Sequence, residues 1–377
     1  MSDSETPFDV MKNIQKHISQ LKQWYPEVAV IGVGEYPIGT LIGGGITFGG
    51  KDLILVFIGK SSEDIAKLNS HAADLCKTID VHTEDATHFW YSVFHELENN
   101  ESFNIQLKNY FIHKVHNAVV LSSTWDALGS GLLPLLTSKL KSWGVRSIVL
   151  GVLPSKVQPT VDHFNALSSV GLEAYEGEFP ILLIDRECLE NYVGVSRRGS
   201  IVKGKAVVND ILELLFVRKN LVDELISLSR SFDLKFFAPL LSTGASLRIY
   251  DSLENIFRAA LLRPLVKFDI SKVSVLYAVL RIPVHLRDRL TKEEVELAIA
   301  DWFKDSPNLK SIQVCDPIYV DDASDRIDAL MLFGGFDLSE VLAPVSQKVI
   351  KLKNEAVKKG FMSDDLWRNI VDSLAVS

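Results

Sequence analysis

The chain has 377 residues, of which 47% are hydrophobic and 23% charged, a composition that excludes long disordered regions and, at this length, predicts two domains. The net charge of −8 argues against nucleic acid as a partner, because an acidic surface repels the phosphate backbone. The cysteines are far apart and have no CxxC spacing, which argues against a disulfide framework and a zinc site: Cys76, Cys188 and Cys315.

The first segment of the chain is polar and acidic before it becomes amphipathic. Residues 1–27 lack the basic start and the apolar centre of a secretory signal, and apolar side chains at helical spacing predict a helix over residues 8–24. No apolar run approaches the roughly 18 to 20 residues that a membrane-spanning helix needs. We therefore expect a cytoplasmic protein without a transmembrane segment.

Short β-branched and apolar runs alternate with helical patterns through the first half of the chain. Val28 to Gly34 predicts a buried strand that ends in a glycine turn. The other runs follow the same pattern: strands at 52–58, 118–123, 147–153 and 179–184, and helices at 61–75 and 132–143. The glycine cluster at 43–50 favours a hairpin or bulge over a phosphate-binding loop. This alternation predicts a parallel, Rossmann-like sheet covered on both faces.

The second half begins with an uninterrupted helical pattern. Residues 205–230 contain no Gly or Pro, and their apolar pattern predicts one long helix. A compact α/β unit follows, with strands at 273–282, 311–319 and 326–333 and helices at 252–262 and 292–303. The chain ends in an amphipathic helix behind Ser363, for which packing on the chain itself is favoured and docking into a partner's groove is the alternative.

Two loops and the order of these parts carry a resemblance to a known family. The strand and glycine turn at Val28–Gly34 resemble the first strand and loop of FtsZ, and Gly129-Ser130-Gly131 resembles the end of the phosphate loop GGGTG[ST]G. From residue 28 to about 338 the sequence resembles the tubulin/FtsZ superfamily, as a divergent FtsZ-like protein of the archaeal FtsZ or CetZ type.

The resemblance implies a domain division and a nucleotide site. It implies an N-terminal helical extension at 1–27, a GTPase-like domain at 28–204, a central helix at 205–230, a smaller C-terminal α/β domain at 231–340 and a helical tail at 341–377. The resemblance also implies that GTP is the ligand, together with Mg²⁺. The residues it assigns to nucleotide binding are Gly32, Gly34, Gly129, Ser130, Gly131 and Asn209.

The phosphate loops depart from the family pattern. Trp125, Asp126 and Ala127 stand where the first three glycines of the loop would be, and Gly32 to Gly39 lacks the later glycines and the asparagine pair. Glycines matter there because backbone N–H groups must approach phosphate oxygens closely. A carboxylate about 4 Å from a phosphate costs about 4 kcal/mol at an effective dielectric constant near 20. Asp126 would favour a phosphate only by holding a metal ion.

The family completes hydrolysis with acidic residues in the synergy loop of a neighbouring subunit. The resemblance places that loop at 233–238, where Lys235 and Ala238 replace the acidic pair. A lysine ammonium is a donor only and cannot orient an attacking water as a carboxylate does. The sequence therefore predicts no catalytic residue and little GTPase activity.

Three functional hypotheses remain open at this point. The first is an FtsZ-like cytoskeletal or cell-division protein that self-assembles longitudinally, with a division-protein or membrane-adaptor partner at its C-terminal helix. The second is an active GTPase with a rearranged pocket in which Asp126 holds magnesium, and the third is a dinucleotide-dependent α/β enzyme that uses Gly32 and Gly34. The basic loop Ser196 to Lys205 is either a phosphate contact or a solvated loop.

Overall fold

A computed structural model gives the architecture. It describes residues 28–43, 53–59, 76–81, 88–112, 115–216, 220–304, 306–322 and 324–375, with no statement on the side chains of 344–348 and 375. The predicted helices at 8–24 and 61–75 lie outside these residues, as does the glycine cluster after Gly43. Within the described ranges, no helix combines the length and apolarity needed to cross a bilayer.

The first half of the chain forms six parallel strands in the order β3-β2-β1-β4-β5-β6. The interiors of all but the edge strand β3 are almost continuously buried, as strands covered on both faces must be. The strands are β1 (Val28–Val33), β2 (Leu53–Gly59), β3 (Cys76–Asp80), β4 (Asn117–Ser123), β5 (Arg146–Leu153) and β6 (Ile181–Asp185).

Helices cover both faces of this sheet. They are α1 (Glu35–Gly43), α2 (Trp90–Glu98), α3 (Glu101–Phe111), α4 (Ala127–Ser142), α5 (Thr160–Glu176) and α6 (Arg186–Asn191). Leu132 of α4 and Phe164 of α5 belong to one apolar cluster, whereas Ile38 of α1 belongs to a second. The carboxyl ends of the strands therefore open toward the first residues of α1, α4 and α6.

The connection between the halves starts with a two-stranded antiparallel ribbon. The ribbon consists of β7 (Val193–Val195) and β8 (Ile201–Lys203), and a 3₁₀ turn at Gly204–Ala206 leads into α7 (Val207–Phe216). A further helix, α8 (Leu221–Phe232), ends at Asp233, whose φ of 53° is left-handed. The predicted long helix at 205–230 is thus seen as two helical segments, and residues 217–219 between them lie outside the described part.

The second half extends the same sheet. Its elements are β9 (Phe236–Ser246), α9 (Leu247–Tyr250), α10 (Leu253–Leu261), β10 (Val275–Pro283), α11 (Lys292–Trp302), β11 (Ser311–Val314), β12 (Ile318–Val320) and β13 (Arg326–Gly334). β9 joins β6 in parallel through the pairs Ile181–Phe236 and Leu182–Phe237, so one sheet of eleven strands runs through both halves. The predicted α/β class with a mostly parallel sheet is confirmed, and the strand predicted at 311–319 is two short strands.

The last two helices, α12 (Leu338–Lys358) and α13 (Asp364–Ala375), return to the first half and pack on α5. Ile370 is fully buried against Gly171, and Trp367 stacks on Phe164 with ring centroids 6.0 Å apart. The apolar face of α13 is therefore covered by the chain itself. A partner at the C-terminal helix would have to bind the part of the helix that stays exposed, around Val371.

Candidate functional site

The carboxyl ends of β1, β4 and β6 meet at one edge of the sheet, which is the usual ligand-binding side of such folds. Gly34 follows β1, Asp126 follows β4, and the first residue of α6, Arg186, follows β6. The 3₁₀ turn and α7 bring Lys205 and Asn209 to the same region, because both contact α1. Most of the residues assigned to nucleotide binding therefore lie close together.

Gly34 occupies the turn between β1 and α1 with a φ of +89°, a conformation that glycine adopts without strain. A Cβ atom there would lie 3.1 Å from the Asp126 carboxylate. The Gly34 N–H donates to the carbonyl oxygen of Ile58 at 3.0 Å. The glycine thus makes room for Asp126, and its own backbone donor is already engaged.

Gly32 does not lie in the loop. It is inside β1, where it pairs with Phe57 and Leu121, and a Cβ atom there would lie 3.0 Å from Leu41 of α1. Its place in the sequence motif therefore reflects the packing of α1 on the sheet. The structure places Gly32 in the strand and not in the turn, and its contact with a nucleotide stays a prediction.

Asp126 caps the first turn of α4. Its carboxylate accepts hydrogen bonds from Gly129 N at 2.7 Å and from the Ser123 hydroxyl, and its carbonyl oxygen accepts from Ser130 N at 2.9 Å. Of these donors, the Gly129 N–H is one of the free N-terminal groups of the helix that a phosphate would use. The side chain of Asp126 therefore takes the position that an anion would need.

The glycines of the Gly-Ser-Gly motif have packing roles. A Cβ atom at Gly129 would lie 2.1 Å from Ser123 O, and one at Gly131 would lie 2.5 Å from Trp90 O on α2. Such distances are too short for any other residue without movement of backbone. Ser130 is fully buried and donates its hydroxyl hydrogen to Asp126 O. The motif fixes α4 against β4 and α2.

The electrostatics of this region follow from the burial of its carboxyl group. Desolvation raises the pKa of Asp126 to about 6, and the nearby Glu35 and Asp162 raise it further, although hydrogen bonds from Ser123 and Gly129 act in the opposite direction. At neutral pH the group is still mostly charged. Its negative charge opposes a phosphate, and this repulsion weakens below about pH 6 as the carboxylate is protonated.

An aromatic and cationic cluster occupies the same edge, and sequence reasoning missed it. Tyr36 of α1 and Trp125 pack edge to face with ring centroids 4.9 Å apart. The Arg186 guanidinium lies 5.1 Å from the Tyr36 ring and 5.2 Å from the Trp125 ring, and the Lys205 ammonium lies 3.9 Å from the Tyr36 ring. Trp125 in place of a loop glycine was the signal that large side chains fill this space.

Asn209 lies on α7 and is 5% exposed. Neither its amide nitrogen nor its amide oxygen has a hydrogen-bond partner among the residues that the structure describes. An unpaired buried amide costs roughly 1 to 3 kcal/mol, so it is normally satisfied by a partner or a ligand. Asn209 is the residue of this region best suited to bind a polar ring edge, such as that of a purine base.

The stretch predicted as a synergy loop is mostly not a loop. Ala238 lies inside β9, fully buried and paired with Phe333 of β13, and Lys235 donates to Gly177 O at 2.7 Å. A strand in the middle of a sheet cannot reach a neighbouring subunit. The placement at 233–238 is therefore wrong for Ala238, because the chain enters β9 at Phe236.

The basic loop before α7 is held against the second half. Arg197 bonds Asp328 at 3.3 Å and Asp322 at 3.6 Å, and Asp328 is also bonded by the buried Arg281 at 2.7 Å. Of the loop's cations, Lys205 alone is placed at the predicted ligand edge. Within the described ranges, no group of three or more His, Cys, Asp and Glu side chains is arranged to hold a metal ion.

Comparisons with known proteins give the fold its name. No model of a known protein family matches the sequence, and no curated protein matches it. Among solved structures, CetZ2 from Haloferax volcanii in a GTPγS-bound protofilament is 18% identical, with a TM-score of 0.63 over 87% of this chain and 99% of that one. CetZ from Methanosaeta thermophila is 13% identical, with a TM-score of 0.67 over 92% and 97%.

An empty FtsZ dimer from M. jannaschii is 16% identical, with a TM-score of 0.57 over 88% of this chain and 93% of that one. The chain therefore has the tubulin/FtsZ fold over most of its length. The resemblance of the sequence to that superfamily is confirmed at the level of fold, and the low identities fit a divergent chain.

Proposed function

We propose that this chain is an FtsZ-like cytoskeletal protein that self-assembles longitudinally and has little or no GTPase activity. The observation that carries the proposal is Asp126, whose buried carboxylate accepts from Gly129 N, one of the N-terminal donors of α4 that a phosphate would need. Support for assembly comes from a structural neighbour, CetZ2, which is described as a protofilament. We extend the proposal to a role of this chain as a cell-division or cytoskeletal scaffold in the cytoplasm, and the likeness to CetZ2 supports this extension.

Nucleotide binding is the part of the family function for which the site retains some features. The buried amide of Asn209 lacks a partner in the described part of the chain, and Arg186 and Lys205 bring two cations to the same edge. These features support the binding step of the second candidate, an active GTPase with a rearranged pocket. For GTP to enter, the Tyr36 and Trp125 rings would have to move and Asp126 would have to be protonated or paired with Mg²⁺.

The third candidate, a dinucleotide-dependent enzyme, has less support. It requires glycines in the first strand-to-helix turn, where Gly34 is present and Gly32 is not. The Gly34 N–H is also engaged by Ile58 O. We therefore keep assembly without hydrolysis as the proposal and GTP binding as its alternative.

The three candidates separate by equilibrium binding to radiolabelled GTP and NAD, each with and without Mg²⁺, on protein stripped of nucleotide. The proposal predicts no tight binding of either ligand and sedimentation of polymers without nucleotide. Tight GTP binding with turnover, dependent on Mg²⁺ and lost in Asp126→Ala, would establish the second candidate instead. Tight NAD binding would establish the third.

A further inference from the structure

The loop between β7 and β8 carries a serine hydroxyl behind two arginines. From residue 196 to residue 200 it reads Ser-Arg-Arg-Gly-Ser. In the whole sequence, Ser200 is the one Ser or Thr that has Lys or Arg at both the second and the third position before it. The candidate ligand site uses none of these residues, since Lys205 is the cation of the basic loop that lies there. The loop therefore needs a role of its own.

Ser200 lies at the exposed tip of the ribbon. Arg198, Gly199 and Ser200 are all exposed, and the Ser200 hydroxyl pairs with the Ser196 hydroxyl at 2.6 Å. The turn is closed by backbone hydrogen bonds from Gly199 N to Ser196 O at 2.9 Å and from Ser196 N to Ser200 O at 2.8 Å. A surface turn closed by so few bonds opens at a low free-energy cost, so an enzyme can reach the hydroxyl.

The two arginines of the turn are engaged to different degrees. Arg197 bonds Asp328 at 3.3 Å and Asp322 at 3.6 Å. Arg198 is exposed and has no hydrogen bond or ion pair among the described residues, and its charge acts on Asp322 at longer range. The turn thus presents an available guanidinium two residues before the Ser200 hydroxyl.

A third arginine approaches the turn from the second half of the chain. Arg326, the first residue of β13, donates from Nη1 to Gly244 O at 2.9 Å. A Cβ atom at Gly199 would lie 3.9 Å from Arg326 Nη2, so this nitrogen lies beside the residue that precedes Ser200. Arg198 and Arg326 are therefore both within reach of a group attached to the Ser200 hydroxyl.

We propose that Ser200 accepts a phosphoryl group from ATP, transferred by a serine/threonine kinase that selects arginines before the acceptor. Kinases discriminate their substrates by charge pattern, and an acidic substrate groove binds the pair Arg197–Arg198. The Ser200 oxygen bonds to the γ-phosphorus of ATP, and the bond from that phosphorus to the β–γ bridging oxygen breaks. ADP leaves, and a base of the kinase takes the hydroxyl proton. The site is independent of the assembly and the nucleotide binding discussed above.

The phosphate changes how the ribbon is held. It brings about 1.5 to 2 negative charges and three acceptor oxygens. Arg198 and Arg326 supply charge-assisted donors, and because Arg326 belongs to β13, these bonds tie the tip of the ribbon to the second half. The ribbon then opens less often. Its hydrogen-bonded amides, at Ser196 and Gly204, should exchange with solvent about tenfold more slowly.

Phosphorylation of the folded full-length chain tests the acceptor. The chain is incubated with an arginine-directed serine/threonine kinase and γ-labelled ATP, and the modified residue is located by mass spectrometry. We expect about one phosphate per chain, on Ser200, and an initial rate at least about tenfold lower in Arg198→Ala. Ser142→Ala is the control, because Ser142 is exposed but has lysines at a different spacing, and it should leave the rate unchanged. Failure to modify Ser200 in the folded chain, or phosphate on Ser196 instead, overturns the proposal.

A chain with phosphoserine inserted at position 200 during translation tests the bonds to the two arginines. Hydrogen exchange of the ribbon amides should be slower than in the unmodified chain, and Arg326→Gln should remove most of this difference. Phosphorus NMR should show that the guanidinium groups hold the second pKa of the phosphate below that of free phosphoserine. Unchanged exchange of the ribbon amides, or a phosphate that titrates as in free phosphoserine, would overturn the assignment of Arg198 and Arg326.

Discussion

Asparagine at position 126 separates the two roles of Asp126, the helix cap and the negative charge. Asn caps a helix N-terminus about as well as Asp, so Asp126→Asn retains an acceptor for Gly129 N and is expected to fold normally. It removes the charge that opposes a phosphate at the first turn of α4. We therefore expect this single substitution to increase the affinity for GTP.

A Coulomb estimate gives the order of magnitude of the effect. At a separation of about 4 Å and an effective dielectric constant near 20, one carboxylate costs a unit negative charge about 4 kcal/mol, or roughly three orders of magnitude in affinity. Water at the edge of the sheet screens part of this, so a gain of at least about tenfold is the expected result. Trp125 and Tyr36 still occupy the site and limit the gain.

Isothermal titration with GTP at pH 5 and pH 8 measures this effect. Because desolvation raises the pKa of Asp126 to about 6, the wild-type chain should bind GTP better at pH 5 than at pH 8, whereas Asp126→Asn should show much less of this dependence. Asp364→Asn, on the exposed side of α13, is the control for a general change in charge. Equal and weak binding by the wild type and Asp126→Asn at both pH values would refute the reasoning.

Burial raises the pKa of Glu173 to about 8, so between about pH 4.5 and pH 8 the unfolded chain ionises this group and the folded chain does not. The free energy of unfolding should therefore fall by up to about 5 kcal/mol as pH rises through this range. Urea unfolding should show this fall, and Glu173→Gln should largely abolish it. Gly131→Ala should lower stability by about 1 to 3 kcal/mol because its Cβ would meet Trp90 O. Gly39→Ala should leave stability unchanged, since a Cβ there meets nothing within 4 Å, and thermal unfolding of the two variants measures the difference. Arg281→Met should lower the free energy of unfolding in urea by about 3 kcal/mol, because the buried carboxylate of Asp328 keeps only Arg197 as an ion-pair partner among the described residues. A cost near zero would show that Arg197 alone compensates the buried charge.

The sheet was predictable because its strands are buried on both faces. Runs such as Ala118 to Leu121 are apolar throughout, so their character does not depend on distant contacts. The join between the halves was less accessible to sequence reasoning. The pairing of Ile181 with Phe236 links residues 55 positions apart, and nothing local at Phe236 distinguishes the start of a central strand from an exposed loop.

The candidate site was predictable in position and not in content. Gly34 and the segment from Asp126 to Gly131 were found because turns after parallel strands have a glycine signature. The cluster of Tyr36, Trp125, Arg186 and Lys205 was missed because its members come from four separate elements. Such convergence depends on tertiary packing, which leaves no spacing pattern in the sequence.

Phosphate release measured during sedimentation tests the central claim most directly. Nucleotide-stripped protein is assembled with and without GTP and Mg²⁺, and polymer mass and released phosphate are followed in the same samples. We predict equal polymer mass in both samples and no phosphate release above that of protein-free buffer. Polymer that forms only with GTP, accompanied by phosphate release in proportion to polymer mass, would contradict the proposal of assembly without hydrolysis.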